Sequence, residues 1–231
     1  MDHNVIALEA EPEPLQIVLA QSVLVIVDMQ IAFVKDDGYF GLAGYDLTMT
    51  RRILEPCRRL VTEARHAGVK IIYFQMGYSA DLCDKGPPDS PGVLKSRVLH
   101  FINQHPEAKD KVYIYSTWGA EIIDELKPQP GDIIIKKQRY DGFFGTNLDL
   151  TLRTLDIKYL FFVGTATNIC VESTIRHAFF LDYFPILISD AVSHMGPSIL
   201  QQATILNVQS SFGWVTTSKS FLHAVGHLKK P

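Results

Sequence analysis

Residues Ser22–Val27 read S-V-L-V-I-V, an apolar run with no alternation between polar and apolar side chains. A strand with one face in water alternates. A strand that does not is covered on both faces, and such strands belong to parallel sheets wrapped by helices. The rest of the chain repeats this theme. Residues 69–74, 132–136, 159–163, 185–189 and 212–216 read as further strands. Between them lie helical patterns. Residues 51–67 place Ile53, Leu54, Cys57, Leu60, Val61 and Ala64 on one side and stop at Gly68. Residues 147–155 and 169–181 are also helical, 118–126 a short helix, 128–132 a turn, and 78–91 a long loop rich in Gly, Pro and Asp. The expected fold is α/β, a single doubly wound domain over residues 22–231. Its sheet is six-stranded and mainly parallel with helices on both faces, and a loose arm of residues 1–21 precedes it.

Composition narrows the function. Of 231 residues, 47% are hydrophobic and 20% charged, which suits a sizeable core. The net charge is -3 and no run of Lys and Arg occurs, so nucleic acid and anionic membrane are not expected partners. No apolar run is long enough to span a bilayer, and the acidic N-terminus does not resemble a secretory signal. Cys57, Cys83 and Cys170 are odd in number and lack redox or zinc spacing, which points to a reducing, cytoplasmic setting. No glycine-rich nucleotide loop follows the first strand, so no cofactor is expected. His177 and His194 invite a metal, but no ligand spacing clusters them, and no metal site is expected.

Three residues carry the chemistry. In G164-T-A-T-N-I-C170, a strand runs into a helix, with Asn168 where an N-cap belongs. Cys170 then falls in the first helical turn, where the helix dipole favours thiolate over thiol, although an isolated Cys at a strand end reads equally as inert core. Asp28 ends the most apolar strand, where an unpaired carboxylate costs several kcal/mol, and reads as a catalytic acid or as a cap. Lys137 ends another strand and reads as a site residue or as a snorkelling surface lysine. Lys136 and Lys137 point to opposite sides, so only one can face a given site. In open α/β sheets ligands bind at the carboxyl ends of the strands. An acid, a cation and a thiol gathered there form a nucleophile with its base.

The segments V27-D-M-Q30, K-K-Q-R-Y-D-G-F-F-G-T and G-T-A-T-N-I-C-V-E-S-T, in that order, resemble the isochorismatase-like cysteine hydrolase superfamily. Within it the chain is most similar to the ureidoacrylate amidohydrolases, through G-Y-F-G-L-A-G-Y-D, G-P-P-D-S-P-G, E-L-K-P-Q-P-G-D-I, F-F-L-D-Y-F and F-G-W-V. The resemblance covers residues 21–228. It implies a catalytic set of Asp28, Lys137 and Cys170, and an oxyanion hole at the backbone N–H groups of Ala166 and Cys170. It also implies a cis peptide between Thr165 and Ala166 and a homo-oligomer, dimeric or tetrameric. The implied activity is hydrolysis of a C–N bond in a small ureido, carbamoyl or amide substrate through a thioester. The alternatives are a catalytically silent binding protein on the same fold and a vinyl-ether hydrolase of the isochorismatase type, which does not use the cysteine.

Substrate contacts are expected from Phe33, Met76, Tyr78 and Tyr140. Gln209, on a last long helix, reads as a donor to a substrate carbonyl or as a solvated face residue. Ile31, Phe33, Met76 and Gly92 stand where that subfamily has more polar residues, so a less polar pocket is expected. The stretch Y73-F-Q-M-G-Y-S lacks the Asp-x-His-x-His of nicotinamidases.

Overall fold

The structure, a computed structural model, describes residues 5–226. Residues 1–4 of the expected arm and 227–231 at the end of the expected domain lie outside the described residues, as do the last two positions of the family resemblance. The strands are β1 (Val5–Leu8), β2 (Leu15–Val18), β3 (Ser22–Val27), β4 (Lys70–Met76), β5 (Ile133–Lys137), β6 (Tyr159–Thr165), β7 (Phe184–Ser193) and β8 (Trp214–Thr216). The helices are α1 (Ile31–Val34), α2 (Tyr39–Leu42), α3 (Thr48–Arg52), α4 (Leu54–His66), α5 (Pro91–Leu94), α6 (Arg97–Gln104), α7 (Leu148–Thr154), α8 (Glu172–Phe180), α9 (Ile199–Asn207) and α10 (Ser218–Gly226).

Six strands pair in the order β5-β4-β3-β6-β7-β8, all parallel, as the doubly wound reading requires. Every residue of β3 is buried. Its side chains alternate between two cores. Leu24 and Ile26 join Tyr73, Phe161 and Val163 beneath α4 and α10. Val23, Val25 and Val27 join Phe74, Phe162 and Leu160 beneath α7 and α8. Each such aliphatic side chain contributes about 1.5–3 kcal/mol relative to exposure. Gly68 ends α4 with φ +75°, a left-handed turn that favours glycine.

Several local expectations are corrected. Residues 1–21 were expected as a loose arm, yet β1 and β2 form an antiparallel hairpin that buries Leu8 and Ile17. Glu11 then bridges in both directions to Val215 on β8, shielding that sheet edge. The expected helix at 118–126 is two short 3-10 turns, Trp118–Ala120 and Asp124–Leu126, separated by extended residues. Gln209 lies in a wide π turn, Val208–Phe212, beyond the end of α9.

Candidate active site

The connections from β3 to β4 and from β6 to β7 leave in opposite directions, so a crevice opens past the carboxyl ends of β3 and β6. Asp28 is the first residue past β3. Its φ of 51° is left-handed, a conformation that Asp tolerates better than most residues. Lys137 is the last residue of β5, two strands away, in register with Met76. Its ammonium nitrogen lies 2.7 Å from Asp28 Oδ2. Two further bonds of 3.3 Å go to the carbonyls of Arg139 and Tyr140, and a weaker one of 3.7 Å to the Met76 sulfur, so no ammonium proton lacks an acceptor. The pair is fully enclosed, with Lys137 0% and Asp28 1% exposed. Burial works against the Lys137 ammonium, but Asp28 and Cys170 outweigh it and hold the lysine charged. Lys136 turns outward and lies over the Tyr115 ring.

Cys170 sits in a π turn, Thr167–Val171, that leads into α8. The expected cap by Asn168 is not formed. The N–H groups of Ile169 and Val171 both reach the carbonyl of Ala166, and so need no side-chain acceptor. Asn168 instead clamps the loop after β7, donating to the Met195 carbonyl at 3.1 Å and accepting from its N–H at 3.0 Å. The Thr165–Ala166 peptide bond is cis. Thr174 donates to the Cys170 carbonyl at 2.7 Å and accepts from the Gly142 N–H at 2.9 Å, tying the cysteine turn to the segment after Lys137.

The thiol is not a resting thiolate. Burial pushes Cys170 up to about 12, Lys137 pulls it down, and the charge of Asp28 adds to the rise. A helix dipole alone does not overcome that desolvation. A proton acceptor is therefore required, and Asp28 Oδ1 is buried with no hydrogen-bond partner.

A cavity of about 530 Å³ opens over this group. Asp28, Ala166 and Cys170 line it, with Phe33, Met76 and Tyr140 among the expected substrate contacts. Tyr78 does not line it; its side chain is buried behind Tyr113, with ring centroids 6.0 Å apart. Gln209 does not line it either. It lies nine residues past Leu200, the wall residue on α9, or roughly 13 Å along a helix. Ile31 and Gly92 are also absent from the lining, so only Phe33 and Met76 of the four apolar replacements face the cavity. Tyr39, Phe40, Tyr45, Tyr113, Lys95, Arg97 and the 195–197 loop also line the wall; Tyr39, Phe40 and Tyr45 fall in the G-Y-F-G-L-A-G-Y-D segment, but the sequence patterns assign none of these residues a site role. Apolar periodicity does not mark short aromatic segments whose rings meet across the fold. Asp141 pairs with His177 at 2.6 Å, and among the described residues no His, Cys, Asp or Glu cluster could hold a metal. No helix of the described residues is long and apolar enough to cross a membrane.

Sheet order and crevice define a doubly wound α/β protein with its site at the switch point of the sheet, and sequence comparison makes the assignment definite: the chain belongs to the isochorismatase domain family, whose profile matches residues 22–220. Among its relatives, the ureidoacrylate amidohydrolase RutB of Rhizobium rhizogenes is 44% identical, covering 95% of this chain and 89% of that protein. RutB of Klebsiella pneumoniae is also 44% identical, over 95% and 93% of the two chains. Among solved structures, a cysteine hydrolase from Pseudomonas syringae pv. phaseolicola superposes with a TM-score of 0.76 at 26% identity, covering 98% of this chain and 99% of that one. An N-carbamoylsarcosine amidase from Thermoplasma acidophilum superposes with a TM-score of 0.62 at 25% identity, covering 86% and 96%.

Proposed function

We propose that this protein is an amidohydrolase that cleaves a C–N bond in a small ureidoacrylate-type substrate. The reading is carried by one observation: Asp28, paired with the buried Lys137, lines the same cavity as Cys170. The near full-length RutB relatives support the substrate type.

The chemistry follows from the groups present. Asp28 Oδ1 takes the Cys170 proton, and the sulfur attacks the ureido carbonyl. Charge developing on the carbonyl oxygen is met by the backbone N–H groups of Ala166 and Cys170, each such donor being worth about 2.7–4 kcal/mol. Protonated Asp28 returns its proton to the leaving nitrogen, the C–N bond breaks, and a carbamoyl thioester stays on Cys170. Asp28 then activates water, which displaces the sulfur and releases carbamate. Carbamate decays to carbon dioxide and ammonia. One carboxylate serves as base, acid and base again because the steps are sequential. Lys137, 2.7 Å away, holds the carboxylate in place between them.

The working form is a cytoplasmic homo-oligomer. Free thiols at Cys57, Cys83 and Cys170 support a reducing setting. Phe179 and Phe180, exposed and packed on Phe212, support a face for a second copy. Light scattering on the purified protein reads the assembly.

Ammonia release from ureidoacrylate, with intact-protein mass spectrometry during turnover, tests the reading. The expected result is ammonia together with a carbamoyl adduct on Cys170. Turnover that persists in Cys170→Ala, or a substrate hydrolysed with no adduct dependent on that cysteine, overturns it.

A further inference from the structure

We infer that Arg97, assisted by Lys95, binds a carboxylate at the end of the substrate remote from the scissile bond. The inference rests on the amidohydrolase reading and narrows its substrate class to anionic ureido or carbamoyl acids.

The cavity is unbalanced in charge. Its one lining carboxylate, Asp28, is already neutralised by Lys137, while the exposed Lys95 and Arg97 add two further cations to the lining. Among the described residues Arg97 has no ion-pair partner. Its side-chain hydrogen bond goes from Nη1 to the Tyr45 hydroxyl at 3.2 Å. A guanidinium carries five donors, and its planar fork matches the two oxygens of a carboxylate. Most of that capacity is unused.

Local structure fixes the arginine in place. Arg97 opens α6, with Ser96 as N-cap accepting from the Leu99 N–H at 3.4 Å. The first turn holds no acidic residue. A cation there opposes the helix dipole, a penalty that a docked anion offsets.

A column of rings joins this cation to the reaction end. Tyr45 packs on Tyr39 at 6.2 Å, and Tyr39 on Tyr113 at 6.0 Å. Tyr140 lines the same cavity. Phe33, Phe40 and Met76 add apolar surface to the walls. The apolar walls therefore go with a charged anchor.

Two measurements test this on the full chain with ureidoacrylate and its neutral carboxamide. In steady-state kinetics, Arg97→Gln is expected to raise KM for the acid about tenfold more than for the carboxamide, equivalent to about 1.4 kcal/mol. Arg97→Lys is expected to recover part of the acid preference. In calorimetry on Cys170→Ala, which reads binding without turnover, adding Arg97→Gln is expected to weaken the acid selectively. Equal effects on both compounds mark a merely structural role and overturn the inference, as does no effect on either. Loss of binding by the Cys170→Ala protein itself also overturns it. If both compounds are hydrolysed without Arg97-dependent discrimination, only the anion site falls. If neither is hydrolysed while Cys170→Ala binds the acid through Arg97, only the amidohydrolase reading falls.

Discussion

Gly164 on β6 lies against the backbone of Val27 on β3, so closely that a Cβ there would sit 2.2 Å from the Val27 carbonyl oxygen. Its φ of +108° also lies in the region that side chains rarely adopt. The contact immediately precedes Asp28 on one strand and the cysteine turn on the other. Gly164→Ala must push the two strands apart where the site is assembled. It is expected to cost about 2 kcal/mol or more and to lower kcat. Urea unfolding with parallel kinetics checks this; wild-type values for both would show that the strands yield without consequence.

Asp28→Asn keeps the side-chain shape and the tolerated left-handed backbone but removes the negative charge beside Lys137. Breaking one side of a buried pair costs about 3–5 kcal/mol, so a large loss of stability is expected with near-complete loss of turnover. Cys170→Ala should also abolish turnover, but with a far smaller stability change because no charge is orphaned. Chemical denaturation of the two variants side by side tests the contrast. Equal stability losses would mean that Lys137 does not depend on Asp28.

The Cys170 thiol sets a pH dependence. Its folded value of about 12 exceeds the ordinary 9.0, so between these values the folded chain holds a proton that the unfolded chain releases. This contribution to stability is full below 9.0 and is lost as pH rises toward about 12. Cys170→Ala should therefore lose less stability than the wild type across that window, with Cys57, also raised to about 12, common to both proteins. Denaturation midpoints at a series of alkaline pH values read the difference. Parallel curves would mean that burial does not raise the Cys170 thiol above its ordinary value.

Asn168→Ala removes both hydrogen bonds to Met195 and frees the loop whose residues Met195, Gly196 and Pro197 wall the cavity. KM should rise several-fold while the melting temperature changes little, and proteolysis should quicken within that loop. An unchanged KM would show that the loop holds its position without the clamp.

The sheet was legible because its strands carry unbroken apolar runs. Ser22–Val27 needs cover on two faces, and that requirement alone selects a parallel, helix-wrapped sheet. The positions of Asp28, Lys137 and Cys170 were legible because each interrupts or ends such a run. The far wall was not. Tyr39 and Arg97 open short helices and Tyr45 lies in the segment after α2, and their meaning comes from the contacts Tyr39–Tyr113 and Arg97–Tyr45 between residues distant in sequence. Asn168 was misread for a related reason. Its local spacing fits a cap, but a distant loop offers its amide both a donor and an acceptor. The β1–β2 hairpin escaped notice because its strands are four residues long and only one inward residue in each is fully buried.

The complete enclosure of Lys137 puts its charge beyond the reach of ions in solution, whereas Lys95 and Arg97 stand exposed at the cavity. Mobile ions screen exposed charges over about 8 Å at physiological ionic strength, and buried pairs far less. The chemical step, run by a carboxylate and an ammonium sealed inside the protein, should proceed at the same pace in dilute buffer and in brine. Capture of an anion at the open rim should weaken steadily as salt is added. Salinity would then act on how much substrate is held, leaving how fast each held molecule is cut untouched.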